Sequence, residues 1–139
     1  MLDVTFAGLQ ICGWLEKHRI SVNRKEVLTA SLCHDIGMVG RHIKYKNNRE
    51  CCSRHPLDSE RIAKRYFPEM NRKTQKIIRC HMWPLTPCPP DSLEGMVVSL
   101  ADKYCSVREC LHLPFGRKLY EGERAAVYDG IEAAFRKTA

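Results

Sequence analysis

An all-α fold is what this sequence predicts, and three observations carry the prediction. Apolar residues recur at helical spacing through the long segments, no stretch alternates with the two-residue period of a strand, and helix-start and helix-stop residues punctuate the chain. No internal repeat is present. At 139 residues and 44% hydrophobic content the chain is one domain's worth, long enough to bury a real core. The expectation is a single domain over residues 1–139, a compact bundle of about five to seven helices.

The elements follow in order. The first helix spans Leu2 to Lys17, with Val4, Phe6, Leu9, Ile11, Trp14 and Leu15 spread over much of its circumference, which predicts a central, well-buried element. The second begins at "NRKE", where Asn23 can cap and Glu26 can reach back, and stops at Gly37, a common C-terminal cap residue. From Met38 to Arg54 the chain is basic, polar and glycine-bearing, which reads as a loop over a site opening at that helix end. Pro56 suits the first turn of a third helix that ends before Pro68.

Asn71 caps a fourth helix running to about Trp83, and "PLTPCPP" forces an extended connection after it. The "DSLE" string from Asp91 to Glu94 is a capping box that opens a long helix through Asp102 to about Leu111. Glu121 to Lys137 is the last helical stretch, within a C-terminal extension of about residues 119–137 beyond a core of about 4–111; Gly122 and Gly130 weaken it.

A formal charge of +7 and a pI near 9.1 favour anionic ligands. The basic residues are spread over several segments with few interleaved aromatics, which argues against a nucleic-acid partner and for small phosphorylated substrates. Asp3, Gln10 and Glu16 interrupt the N-terminal apolar run and no stretch reaches membrane-spanning length, so a soluble cytoplasmic protein without a membrane partner is expected. Oligomeric state is not legible. Eight cysteines with no C-x-x-C pair, several inside helical patterns, predict reduced thiols. Cys51 and Cys52 with His55 lack the spacing of a structural zinc site.

The chemistry concentrates in His34, Asp35, His55, His81 and Asp102. Imidazole and carboxylate hold catalytic divalent metals while leaving positions open for water and substrate. Val27, Ala30 and His34 share a helix face, His81 shares one with Ile77 and Ile78, and Asp102 lies between Val98 and Cys105 on an apolar face. A buried carboxylate needs a partner, and a metal is one; an Arg or Lys is the plainer alternative. Lone His18 and His112 read as solvent-facing or locally bonded. Trp83 reads as a core or lid residue before a base-stacking one.

The ordered set "ASLCHDIGMVGR", "RHPLDSERIAKRYF", "IIRCHMWPL" and "SLADKYC" resembles the HD-domain metal-dependent phosphohydrolase superfamily over about Val4 to Val107. The resemblance implies an HD-domain helical bundle and one or two divalent ions per chain, manganese, iron, magnesium or similar. Within it, His34, Asp35 and Asp102 would share one metal with a histidine that precedes the first helix in the family. His55 and His81 would bind a second metal, with Asp35 bridging, and Asp35 and Asp102 would be the catalytic carboxylates. The matching position for the extra histidine falls immediately before Met1, so a native histidine there is expected.

Arg41, His42, Lys44 and Lys103 are the candidate phosphate-binding residues, cations near the motif that would offset developing charge. Many relatives carry Lys where this chain has Met38, and Arg41 is the nearest substitute. The reading is a phosphohydrolase that cleaves a phosphate ester of a nucleotide or small phosphorylated metabolite by metal-activated water. Two alternatives stand beside it: a cyclic-dinucleotide phosphodiesterase, although "HHE" and "GYP" signatures are absent, and a catalytically weak metal- or nucleotide-binding module.

Overall fold

The computed structural model describes residues 2–111. The expected helix at Glu121 to Lys137, and His112, lie outside the described residues. The chain divides into two compact units, 1–105 and 106–139, and the first forms the helical bundle.

The described residues contain no strand, and the fold is all helical as expected: α1 (Leu2–Lys17), α2 (Arg24–Cys33), a 3-10 turn (Ile36–Met38), α3 (Arg41–Lys44), α4 (Asn48–Tyr66), α5 (Arg72–Cys80) and α6 (Leu93–Cys110). Among the described residues no helix is long and apolar enough to cross a membrane.

The first turns of α2, α5 and α6 are tied together, and the candidate ligands His34, His81 and Asp102 meet further along the same three helices. Asn23 caps Glu26 N, and Asn71 caps Thr74 N at 2.7 Å. Glu26 does not reach back to Asn23, as the sequence suggests it would; it accepts from Asn71 Nδ2 at 3.0 Å and pairs with Lys73 at 2.8 Å. The backbone N–H of Asn23 is taken by Glu94 of α6 at 2.9 Å, and the same Glu94 pairs with Lys73. Two carboxylates thus sit where three helix N-termini gather, the end at which the helix dipole favours negative charge.

Between the tied end and the site lies the apolar core. Val27 and Ala30 of α2, Ile77 and Ile78 of α5, and Val97 and Val98 of α6 interlock there, joined by Ala63, Cys12 and Leu15. Full burial of each large aliphatic side chain stabilises the fold by about 1.5–3 kcal/mol.

α1 buries one face only, Val4, Thr5, Ala7, Gly8, Cys12 and Leu15, while Trp14 is 57% exposed. The central position expected for α1 is corrected: it packs on α2, where a Cβ at Gly8 would stand 3.1 Å from Val27 Cγ1. Arg19 closes the helix at φ 59°, with Ile20 N–H on Leu15 O at 3.0 Å and Arg19 N–H on Glu16 O at 2.9 Å, a Schellman closure carried by a non-glycine residue.

The segment expected as a loop from Met38 to Arg54 folds instead into α3 and the first turns of α4. Asn47 Oδ1 accepts from Glu50 N at 2.9 Å, and Glu50 Oε2 accepts from Lys46 N at 2.9 Å, so α4 starts at Asn48 and Pro56 lies in its interior. The capping signal "NNRE" outweighs the proline as the marker of the helix start. α6 likewise starts at Leu93: Ser92 Oγ accepts from Gly95 N at 3.1 Å, while Asp91 pairs with Lys76 instead of capping. α5 ends at Cys80, short of Trp83.

Cys80 and Cys88 form a disulfide, their Cα atoms 5.0 Å apart. The expectation of reduced thiols is corrected at this pair. The turn that follows Cys80 brings Cys88 back to the end of α5, a proximity that sequence spacing does not display.

Candidate metal centre

His34 and His81 are the residues that close α2 and α5, and both rings turn back on their own helix. His34 Nδ1 lies 2.6 Å from Ser31 O, and His81 Nδ1 lies 2.7 Å from Ile78 O. Carbonyls in a helix's last turn lack intrahelical donors, so each histidine supplies the missing N–H. His55, inside α4, also turns its Nδ1 back on its own helix, 2.9 Å from Cys51 O. A carbonyl only accepts, so all three rings carry a proton on Nδ1 and turn Nε2 to the centre.

The three Nε2 atoms and two carboxylates converge. His34 Nε2 stands 3.3 Å from Asp35 Oδ2 and 3.6 Å from Asp102 Oδ1; His55 Nε2 and His81 Nε2 stand 3.3 and 3.7 Å from Asp35 Oδ1. His55 Nε2 and His81 Nε2 are 3.1 Å apart. Asp35 therefore directs one oxygen to His34 and the other to His55 and His81. His34, Asp35 and His81 offer ligand atoms all within 4.8 Å of one another.

Two features show that the residues fit a cation. His34 is fully buried and its Nε2 has no hydrogen-bond partner, since neither nearby carboxylate oxygen has hydrogen-bond geometry to it. The lone pairs of His55 and His81 face each other, an arrangement that repels unless a proton or metal ion lies between them. Ligand bonds of about 2.1 Å place neighbouring ligand atoms roughly 3.0–3.4 Å apart, close to the separations within this cluster.

Charge in the metal-free site follows the same geometry. Burial alone would lower the pKa of His34, but the carboxylates of Asp102 and Asp35 outweigh it and raise it to about 9. Burial opposes ionisation of Asp35, yet His34 and His55 hold it far below the usual carboxylate range. Asp102 is brought down to about 2 against its burial by His34 and Lys103. Burial and the neighbouring His34 charge push His81 down to about 4. One proton on His34 thus occupies a site whose two carboxylates demand positive charge.

Asp35 reaches this position because the 3-10 turn after it packs tightly on α4. A Cβ at Gly37 would lie 2.6 Å from Ser59 N and 2.7 Å from His55 O. Gly37 serves close approach, not the helix-capping role its position in sequence suggests. Ser59 Oγ accepts from Gly37 N at 2.9 Å, and Tyr45 Oη donates to Asp58 Oδ2 at 2.7 Å while standing 3.2 Å from Gly37 O. Sequence reasoning missed Ser59, Tyr45 and Asp58; the one available signal was Ser59 at i+4 from His55.

The four phosphate-binding candidates separate. Lys103 Nζ donates to Asp102 Oδ2 at 2.7 Å and to His81 O at 3.0 Å, which ties two site elements together. Lys44 Nζ lies on Gly37 O at 3.2 Å. Arg41 donates to Asn48 Oδ1 at 2.8 Å, and His42 is exposed. Trp83 is 40% exposed, and its carbonyl accepts from Ser99 Oγ. His18 bonds Trp14 O away from the site.

A family model for the HD domain matches residues 1–106. The chain therefore belongs to the HD domain family, and with it to the superfamily of metal-dependent phosphohydrolases. No curated protein and no solved structure matches it.

Proposed function

We infer that this chain is a metal-dependent phosphohydrolase that cleaves a phosphate ester of a nucleotide or small phosphorylated metabolite. The observation that carries the reading is the convergence of three Nε2 atoms, each fixed by an Nδ1–H on its own helix, with the carboxylates of Asp35 and Asp102. His34, Asp35, His55, His81 and Asp102 would hold one or two divalent ions, with Asp35 reaching toward both groups of ligands. A bound divalent ion supplies Lewis acidity and lowers the pKa of water toward neutrality.

The chain's own residues prepare for that chemistry. The Nδ1 contacts keep the imidazoles in one tautomer, which removes the reorientation a ligand would otherwise need. Asp35, with its side chain 30% exposed, forms the open side of an otherwise buried cluster and marks where a phosphate ester would enter. Lys103 fixes Asp102 and offsets its charge. Lys44 and Arg41 place further positive charge on the segment that follows the site, where His42 is exposed.

Phosphate release from nucleotides and sugar phosphates, screened with manganese, iron and magnesium, tests the reading. Activity that disappears in Asp102→Ala supports it. Activity that survives the substitution, or inactivity on every compound with every metal, counts against it.

A further inference from the structure

A cavity of about 200 Å³ opens beside α3 and the start of α4, outside the cluster of candidate ligands. Its walls carry Arg41, His42 and Lys46 with the carboxamides of Asn47 and Asn48. Pockets for drug-sized ligands run from about 300 Å³ upward and are mostly apolar. This one is smaller and polar, which suits a small ion and not a nucleobase.

The charge is one-sided. Between Arg41 and Arg54 five Lys or Arg residues stand against the single acid Glu50. That acid is already used: Oε1 pairs with Arg54 at 3.1 Å and Oε2 accepts from Lys46 N. The side chains of His42 and Lys46 make no hydrogen bond or ion pair among the described residues. Asn47 spends its carbonyl oxygen on Glu50 N and Asn48 spends its own on Arg41, so both amide groups keep their N–H donors. Cations and amide donors without competing carboxylates are what a phosphate oxygen requires.

The remaining walls join the cavity to the site. Tyr45 lines it and reaches Gly37 O, two residues after Asp35; Cys51 lines it and its carbonyl holds His55 Nδ1. An anion in the cavity would therefore lie one helical turn from a candidate ligand.

We propose that this cavity binds a phosphate group other than the one cleaved, so that the protein acts on compounds carrying a second phosphate. The assignment of that group to a substrate rests on the phosphohydrolase reading; the anion site itself does not.

Titration of the chelator-treated full chain with inorganic phosphate and with pyrophosphate, followed by calorimetry and by amide NMR shifts, tests the site without catalysis. Binding that weakens by about tenfold or more in the Arg41→Ala/Lys46→Ala double variant, and not in Lys64→Ala on the far part of α4, supports it. Absence of binding in the millimolar range, or equal weakening in Lys64→Ala, overturns it. Circular dichroism of each variant keeps loss of fold from passing as loss of binding.

Two kinetic arms then name the source of the phosphate. If it belongs to the substrate, the double variant lowers kcat/KM for a diphosphate or bisphosphate at least about tenfold more than for the matching monophosphate. If it is free phosphate, added phosphate changes monophosphate turnover in the unaltered protein and not in the variant, and the substrate assignment falls while the anion site stands. Failure of all hydrolysis removes the phosphohydrolase reading and leaves the binding result to decide the cavity.

Discussion

The Nε2 atoms of His55 and His81 face each other at 3.1 Å while each ring's Nδ1 is committed to a helix carbonyl. Two such lone pairs are held together by whatever positive charge lies between them. His55→Ala and His81→Ala are therefore expected to lower metal content alike, and the double variant to lose little more than either single one, because the pair acts as a unit. Elemental analysis of the three variants checks this. Additive losses would show that the two rings serve separate ions.

Metal uptake should be pH-dependent through His34. Its pKa in the metal-free protein is raised to about 9, with burial outweighed by Asp102 and Asp35. A metal needs the lone pair that the proton occupies. Apparent affinity should rise with pH, releasing about one proton per ion, and level off above about 9; His81, pushed down to about 4, contributes no proton in that range. Calorimetry in buffers of different ionisation enthalpy measures the proton count. A count of zero at neutral pH contradicts the assignment.

Stability of the metal-free protein follows the same groups. The part supplied by His34, whose folded pKa is raised, is fully present below about 6.5 and is lost as pH rises through about 9. The part supplied by Asp102, whose folded pKa is lowered, is present above about 3.9 and is lost as pH falls toward about 2. Chemical denaturation at several pH values should show its highest stability between these limits, and Asp102→Asn should flatten the alkaline fall.

Gly37→Ala should cost about 1–3 kcal/mol and reduce metal binding together, since the added Cβ meets Ser59 N at 2.6 Å and His55 O at 2.7 Å, both backbone atoms. Denaturant titration and metal analysis of one preparation test the coupling. Full stability in that variant would mean that the turn and α4 separate without cost.

Arg19→Gly is the contrasting case. The residue sits at φ 59° beyond α1, where a side chain costs about 1–2 kcal/mol and glycine costs less. A gain of up to about 1 kcal/mol, with metal affinity unchanged, is expected from thermal and denaturant unfolding.

Much of this architecture was readable from local signals. Asn23 and Asn71 announce α2 and α5, and the apolar faces around His34, His81 and Asp102 place those residues inside the bundle. What escaped depends on contacts between distant segments. Glu94 and Glu26 look like local capping residues, yet they satisfy groups on other helices. Gly37 looks like a helix stop, and its purpose is set by Ser59, more than twenty residues away. Pro56 resembles a helix start only until the cap at Asn47 is weighed against it. The role of Lys103 was open for a related reason: a cation beside a carboxylate reads as a phosphate ligand until its Nζ is found on Asp102 and on the His81 carbonyl.

His34, Asp35, His55, His81 and Asp102 would form one divalent-metal centre organised around Asp35. Metal titration of Asp35→Asn, which keeps the side chain's shape and removes its charge, tests this most directly. Affinity at least about 100-fold below that of the unaltered protein is expected, with the helical fold retained. Metal content and affinity equal to the unaltered protein's would contradict it.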